Sequence, residues 1–333
     1  MMIDKQLFGQ VLRFDSTSGR ERALGEFLVE HLEAPRKQAL EVGDGTLNVL
    51  LQWGDAPKVV FCSHMDTVPP YIAPVFEDDV VRGRGVCDAK GQWIAMYAAC
   101  KELEARGLDG FALLIVSGEE TGSWGAKAFS GTLTAPLLVI GEPTGNVPVS
   151  AAKGTKSYDL RFTGEPFHSG YPDKGRSAVE MFMDFMIELE VESEFPRDKV
   201  LGETTWNVGL LRSDNPQNIL SPELTCRLYF RTTFATDALV QKWMARPRHG
   251  VEVTARGGDA PCEYYVPEGF KGKPVAFGSD APHLAGFGRK TICGPGSIFV
   301  AHRDDEFVTL SELEEAANNY VKFFEKELEP EGR

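Results

Sequence analysis

The feature that most constrains this chain of 333 residues is a set of short hydrophobic runs, each followed by residues that carry carboxylate or imidazole groups. Residues 59–62, 111–116 and 137–140 are three such runs. Runs of this kind are typical of strands buried on both faces of a parallel sheet. Polar groups at their ends would collect at the sheet edge where open α/β folds bind ligands. The polar segments are Ser63-His64-Met65-Asp66, Cys87-Asp88, Gly118-Glu119-Glu120, Gly141-Glu142 and Ala301-His302.

Helical patterns alternate with these strands. Apolar residues at helical spacing in residues 7–14 and 24–32 predict two amphipathic helices near the start of the chain. Further helices are predicted at 93–106, at 123–129 and, at the end of the chain, at 310–328. The alternation predicts an α/β fold with a mostly parallel, doubly covered sheet.

The pattern changes after about residue 149. Strands are predicted at 156–162, 206–211, 224–232 and 251–255, and helices at 178–189 and 238–245. This β-α-β-β-α-β order is that of a ferredoxin-like α+β unit. Because His302 and the last helix follow it, this unit is predicted to be inserted into the first domain. We therefore expect a discontinuous catalytic domain, residues 1–152 and 258–333, and a lid or dimerisation domain, residues 153–257.

Composition excludes several classes of function. The net charge of −14 argues against a nucleic-acid surface, which needs clustered Lys and Arg. The longest apolar stretches are strand-sized, far below the roughly 20 residues that cross a bilayer, so no membrane partner is expected. The chain opens without a signal-peptide pattern, and its six cysteines show no CxxC pairing. These features predict a cytoplasmic protein with reduced cysteines.

His64, Asp66 and Asp88 are candidates for a metal site. In a strand, residues i and i+2 share a face, so Asp66 could accept the second N–H of His64 and fix its tautomer, as an orienter rather than a ligand. The alternative is that His64 and Asp66 only cap a turn. Asp88 lies in the glycine-rich segment 83–92. There it could bridge two cations or cap the helix that follows.

The pair Glu119-Glu120 carries the sharpest signal, because it lies between a buried run and a turn. Neighbouring side chains diverge there, so one carboxylate can bind metal while the other acts as a general base. Glu142 likewise follows an apolar strand. His168 lies in a polar, glycine-flanked loop. Its imidazole could hydrogen-bond to a developing oxyanion, although a lone loop histidine is more often structural.

These motifs, in this order, resemble the dinuclear zinc amidohydrolase and exopeptidase family of acetylornithine deacetylase, succinyl-diaminopimelate desuccinylase, aminoacylase and glutamate carboxypeptidase. The resemblance covers about residues 1 to 328. Each motif is weak alone, whereas the ordered set is specific. The matching segments are His64-x-Asp66-Thr67-Val68, Gly83-Arg84-Gly85 with Asp88 and Lys90-Gly91, Glu119-Glu120-x-Gly122, Gly141-Glu142-Pro143-Thr144, His168-Ser169, and Gly294-Pro295-Gly296 before Ala301-His302.

The resemblance implies two zinc ions per subunit, with cobalt or manganese as substitutes. His64, Asp88 and Glu142 would hold one ion, and Asp88, Glu120 and His302 the other.

It also implies that Glu119 is the general base and that His168 steadies the oxyanion. Family members that dimerise through the lid bring the equivalent of His168 to the partner's active site, so a homodimer is expected. The implied substrate contacts are Asn218 and Arg231 on the lid and the backbone of Gly294 and Gly296.

Two departures from the family pattern bear on the substrate. The family usually has an acidic residue two positions before the lid arginine, and this chain has Tyr229 there. Between Cys262 and Ser279 the family carries a helix, but this segment is too short and too rich in Gly and Pro to form one. One flank of the site is therefore predicted to be trimmed.

The predicted reaction is hydrolysis of the amide bond of a small N-acylated amino acid or short peptide. A deacetylase of the acetylornithine type, or a related lysine- or ornithine-releasing hydrolase, is the first choice, because the motif at Glu142 resembles that branch. Alternatives are succinyl-diaminopimelate desuccinylase, a di- or tripeptidase and a carboxypeptidase. Two alternatives belong to other classes of function. One is a non-catalytic binding protein on the same fold, and the other is a cysteine hydrolase that uses Cys62. The cysteine hydrolase leaves the glutamate pair unexplained.

Overall fold

The structure is a computed structural model that describes residues 2–43, 45–192 and 195–329. The chain forms two compact units. The first unit comprises Met1–Ser150, Tyr264–Lys273 and Ser279–Arg333, and the second comprises Ala151–Glu263 and Pro274–Gly278. Within the described residues, no helix combines the length and apolar character needed to cross a membrane.

A six-stranded sheet forms the centre of the first unit, in the order β1-β2-β6-β3-β7-β15. Three of its five pairings are parallel and two are antiparallel. Consecutive residues of β2, β3 and β6 are all buried, so both faces of the sheet are covered. The predicted α/β fold is confirmed. The strands are β1 Arg36–Gly43, β2 Thr46–Trp53, β3 Val59–His64, β6 Phe111–Val116, β7 Ala135–Ile140 and β15 Phe287–Ile292.

Within the described residues of the first unit, five helices lie around this sheet. Helix α7 begins with a capping box, in which the Thr309 hydroxyl accepts the Glu312 N–H and the Glu312 carboxylate accepts the Thr309 N–H. Helix α3 packs against α7 and β3, and α2 packs against β2. These helices are α1 Lys5–Leu12, α2 Arg22–His31, α3 Lys90–Ala105, α4 Trp124–Phe129 and α7 Leu310–Leu328.

The second unit contains a four-stranded antiparallel sheet in the order β10-β11-β9-β12. Burial alternates along β11, whose buried residues join a core with Phe185 of α5 and Trp243 of α6. Its element order is β-α-β-β-α-β, as the sequence pattern predicts. The elements are β9 Gly154–Thr163, α5 Ala178–Glu192, β10 Thr205–Arg212, β11 Glu223–Thr232, α6 Asp237–Met244 and β12 Val251–Gly257.

Short strands complete the architecture. No helix lies between Glu263 and Asp280, where the sequence is rich in Gly and Pro. The predicted boundary at residue 257 assigns residues 258–263 and 274–278 to the first unit. In the structure they cluster with the second unit. The short strands are β4 Val75–Glu77, β5 Val80–Arg82, β8 Val149–Ala152, β13 Cys262–Glu263, β14 Lys273–Val275 and β16 Phe307–Thr309.

Candidate functional site

The central sheet brings most of the candidate residues to one edge. His64 is the last residue of β3 and pairs with Val116, the last residue of β6. Because β6 and β7 run parallel to β3, Glu119 and Glu142, which follow them, emerge at the same edge. Asp88 arrives from the turn before α3, and His302 from the loop before β16.

Asp88 lies between two imidazoles. Its Oδ1 is 3.1 Å from Nε2 of His64, and its Oδ2 is 3.3 Å from Nε2 of His302. Nε2 of His302 is also 2.9 Å from Oε1 of Glu120, and ligand atoms of His64, Asp88 and Glu120 all lie within 4.8 Å of one another. Helix α3 has Ala89 at its N-cap position and no side-chain cap. Asp88 thus has the placement that a bridging carboxylate needs, and it does not cap the helix.

Asp66 holds the surroundings of His64 in place. The Nδ1 atom of His64 lies 3.0 Å from the backbone oxygen of Asp66 and 3.3 Å from its Oδ1. The same carboxylate accepts the backbone N–H groups of Glu119, at 3.0 Å, and Glu120, at 3.1 Å, and the Ser18 hydroxyl, at 2.8 Å. Burial raises the pKa of Asp66, but hydrogen bonds from His64 and Ser18 outweigh it and hold that pKa below its ordinary value. One buried carboxylate therefore contacts both His64 and the backbone of the glutamate pair.

The carboxylates at this edge destabilise one another's charge. Burial raises the pKa of Glu119 well above its ordinary value, and the charges of Asp280, Glu120 and Asp88 add to the rise. Burial also raises the pKa of Glu142, with Glu119 and Asp88 contributing. A divalent cation among these groups would offset both effects. Imidazole and carboxylate are zinc ligands, so the donor set fits such an ion.

The neighbouring carboxylates raise the pKa of both histidines. Burial lowers the pKa of His64, but hydrogen bonds to Asp66 and Asp88 outweigh it and raise that pKa well above its ordinary value. Hydrogen bonds to Asp88 and Glu120 raise the pKa of His302 to about 10. His302 also adopts a φ of 63°, in the left-handed region that residues other than glycine seldom occupy. Such backbone conformations cluster at functional sites.

Asp280 is a candidate that the sequence analysis missed. It is buried, its Oδ1 has no hydrogen-bond partner, and burial raises its pKa to about 6. It interacts electrostatically with His64 and Glu119. No long apolar run precedes Asp280, so the pattern that found the other acids does not find it. The available signal is an acidic residue in the otherwise uncharged segment 276–282.

Gly294 and Gly296 lie against the turn that follows Glu142. The Gly294 carbonyl accepts the Asn146 N–H at 2.8 Å, and the Gly296 carbonyl accepts the Gly145 N–H at 2.7 Å. A Cβ atom on Gly294 would lie 1.9 Å from Oε1 of Gln92 and 2.8 Å from the backbone oxygen of Glu142. Packing alone therefore requires glycine at position 294, and the substrate-wall role of both glycines stays a prediction.

The remaining predicted residues belong to the second unit. The exposed His168 accepts the Gly170 N–H on its Nδ1 at 3.0 Å, and the Ser169 N–H donates to the Asn218 carbonyl at 2.9 Å. The loops that carry His168 and Asn218 are thus paired.

The setting of Arg231 explains one departure from the family pattern. Its guanidinium carbon lies 5.0 Å from the centre of the Tyr229 ring. An aromatic face attracts a cation. Tyr229 therefore supports the arginine at the position where the family has an acidic residue.

Comparisons with known proteins identify the family of this chain. The model of peptidase family M20/M25/M40 matches residues 60–326. A peptidase M20 domain-containing protein of Schizosaccharomyces pombe is 31% identical over 95% of this chain and 82% of its own length. A probable carboxypeptidase of Aspergillus terreus is 31% identical over 95% of this chain and 84% of its own length.

Solved structures share the fold. A tripeptidase of Staphylococcus aureus has a TM-score of 0.76 at 18% identity and covers 99% of this chain and 100% of its own. An M20 family metallo-carboxypeptidase of Sulfolobus solfataricus has a TM-score of 0.77 at 16% identity, with 98% and 99% covered. The family model covers most of the chain, so the resemblance seen in the motifs is confirmed. The chain belongs to peptidase family M20/M25/M40 and is a hydrolase of that family.

Proposed function

We propose that this chain is a metal-dependent exopeptidase that hydrolyses the amide bond of a short peptide or N-acylated amino acid with a free carboxylate. The observation that supports it most is the placement of Asp88 between His64 and His302, with Glu120 at hydrogen-bond distance from His302. This is the donor arrangement of a site for two divalent ions that share one carboxylate.

In this proposal, His64, Asp88 and Glu142 hold one ion, and Asp88, Glu120 and His302 hold the other. When bound, such ions polarise the amide carbonyl and make water more acidic. Zinc is the proposed metal, and cobalt or manganese are its substitutes.

Glu119 moves the proton. Its carboxylate is partly buried and faces the charges of Glu120 and Asp88, so it can take a proton from water beside the proposed ions and later deliver it to the leaving amine. Its backbone N–H donates to Asp66, which fixes the point of the chain from which the side chain extends. Asp66 thus positions both Glu119 and His64.

The substrate carboxylate is assigned to Arg231 and Asn218 of the second unit, and oxyanion stabilisation to His168. Arg231 carries a permanent charge that suits a carboxylate. The exposed imidazole of His168 keeps its Nε2 available for a hydrogen bond to an oxyanion. These roles make the second unit the proposed lid.

The comparisons favour a peptide substrate. The relatives named above include a probable carboxypeptidase, a metallo-carboxypeptidase and a tripeptidase. The acetylornithine-type deacetylase, first choice from the sequence, gains no support from them. The alternative that uses Cys62 as nucleophile is disfavoured, because burial raises the pKa of this thiol well above its ordinary value and opposes the thiolate.

A substrate screen tests the proposal. Protein stripped with a chelator and reloaded with zinc or cobalt should hydrolyse N-blocked dipeptides, and amidation of their carboxyl terminus should lower kcat/KM about 10- to 100-fold, the value of a charge-assisted hydrogen bond. Acetylornithine, succinyl-diaminopimelate and unblocked di- and tripeptides are the comparison substrates. Preference for acetylornithine would restore the deacetylase assignment. Hydrolysis that survives chelation but not a thiol reagent would refute the proposal.

We further propose a homodimer formed through the second unit. Met183, Ile187 and Val191 form one stripe on α5, and their exposed fractions are 55%, 59% and 70%. An apolar stripe of this kind commonly marks an interface.

Sedimentation tests this pairing. The wild-type chain should sediment as a dimer, and Ile187→Glu should shift it toward the monomer, because the new charge would have to be buried. Val75→Glu, at an apolar residue of the first unit that is 51% exposed, is the matched control and should leave the dimer intact. A monomeric wild-type chain would contradict the proposal.

A further inference from the structure

Arg84 and Glu306 form an ion pair beside the candidate metal centre. Nη1 of Arg84 donates to Oε2 of Glu306 at 2.8 Å, and each side chain is only 1% exposed. The two residues are 222 positions apart in the chain. Neither is a candidate ligand, and the proposed reaction assigns neither a role.

Glu306 binds the backbone that presents Asp88. Its Oε1 accepts the N–H of Cys87 at 3.0 Å and the N–H of Asp88 at 3.1 Å. Its own backbone carbonyl accepts the Gly83 N–H at 3.1 Å. The turn before α3 is therefore attached at both ends to a residue that lies four positions after His302.

Arg84 extends the same network to two further segments. Its Nη1 also donates to the backbone carbonyl of Arg303 at 3.0 Å, and its Nε donates to that of Pro70 at 3.3 Å. Arg303 is the neighbour of His302, and Pro70 lies six positions after His64. One ion pair thus joins the segments that carry three candidate ligands.

Stability alone is a weak reason for such a pair. The cost of removing two charges from water often equals or exceeds their attraction, and apolar replacements of similar volume are often neutral or stabilising. What this pair supplies instead is direction, because a guanidinium and a carboxylate fix the angles of the groups they bind. Its contacts are directed at backbone next to Asp88 and His302.

We propose that Arg84 and Glu306 are positioning residues that hold Asp88 and His302 at the separation required for metal binding. This inference rests on the proposed function, since it requires the metal centre. Groups that orient ligands from outside the coordination sphere typically contribute about 10- to 100-fold in metal affinity. We expect an effect of that size from this pair.

The first test is Glu306→Gln. Glutamine keeps the shape, but its single oxygen cannot accept from both Arg84 and the backbone of Cys87 and Asp88. Zinc affinity, measured by competition with a chromophoric chelator, should fall about 10- to 100-fold. The visible absorption bands of the cobalt-loaded protein should change as well, because they report ligand geometry.

A second variant separates geometry from charge. Glu306→Gln removes a negative charge near the centre, and this alone would weaken cation binding. Arg84→Met/Glu306→Met removes one charge of each sign and keeps the volume apolar, so it leaves the local net charge unchanged. We expect zinc affinity to fall in this double variant too, whereas the chelator-treated protein should still fold, with a Tm lowered because the N–H groups of Cys87 and Asp88 lose their acceptor.

The matched control is Glu188→Gln in the second unit. Glu188 pairs with Nε of Arg248 at 2.9 Å and carries no proposed metal role. Its replacement should leave zinc affinity and the cobalt spectrum unchanged.

The outcomes separate the two proposals. Wild-type protein that binds no metal would refute the proposed function itself. Wild-type binding with unchanged affinity in both variants of the pair would overturn the positioning role alone. Loss of folding in both variants would also overturn it, because the pair would then serve the fold and not the metal.

Discussion

Replacing Glu119 by glutamine should lower kcat by about 10²- to 10⁴-fold while the bound metal content stays unchanged, because the amide preserves shape but cannot accept the proton. The structure adds a reason to expect intact metal binding. The glutamate pair is fixed through its backbone by Asp66, and this anchor does not depend on the side chain at 119. The measurement is kcat together with the number of zinc ions per chain.

The neighbouring residue provides the matched variant. Glu120 shares the Asp66 anchor, but its carboxylate lies 2.9 Å from Nε2 of His302. Glu120→Gln should therefore lower metal occupancy, and added zinc should restore part of the activity. A Glu119→Gln enzyme with near-normal kcat would refute the assigned base even if the metals are where we propose them. Equal metal loss in both variants would show that the two carboxylates do not divide the work.

The sequence predicted best the elements whose own residues show a clear pattern of apolar side chains. Helix α7 is observed at Leu310–Leu328 and strand β6 at Phe111–Val116, the same bounds as predicted. In α7 apolar residues recur at helical spacing, and β6 is a continuous apolar run that is buried along its whole length. Strand β11 of the second unit also has a clear pattern, since it alternates between buried and less buried residues.

Strand β1 was missed for the opposite reason. Arg36–Gly43 is mostly exposed and carries several charged residues, so it has no apolar pattern of its own. It is a strand because it pairs with β2, whose residues are all buried. Strand formation at a sheet edge depends on the neighbouring strand more than on intrinsic preference.

The site divides in a similar way. His64, Glu119 and Glu142 could be found because each follows a buried run, and Asp88 and His302 because they belong to ordered motifs. The pairing of Arg84 with Glu306 could not be found, and Asp280 was missed because no long apolar run precedes it. Contacts across 222 residues depend on the finished fold, and a single sequence carries no local signal for them.

Asp88→Asn should have the largest effect on metal binding. Asp88 faces an imidazole with each carboxylate oxygen, so an amide, which offers one oxygen, can serve only one of the two proposed ions. We expect fewer than two zinc ions per chain even at saturating zinc, and loss of most activity. Elemental analysis after dialysis against zinc, with Tm in the presence and absence of zinc, measures this.

Asp66→Asn is the variant that gives this result its meaning. Asp66 is also buried and also contacts His64, but through Nδ1. As an orienter, it should affect affinity by about 10- to 100-fold and leave the stoichiometry at saturating zinc intact. A ligand and an orienter therefore differ in what excess metal can restore. If excess zinc restored full occupancy in Asp88→Asn but not in Asp66→Asn, the two roles would have to be exchanged.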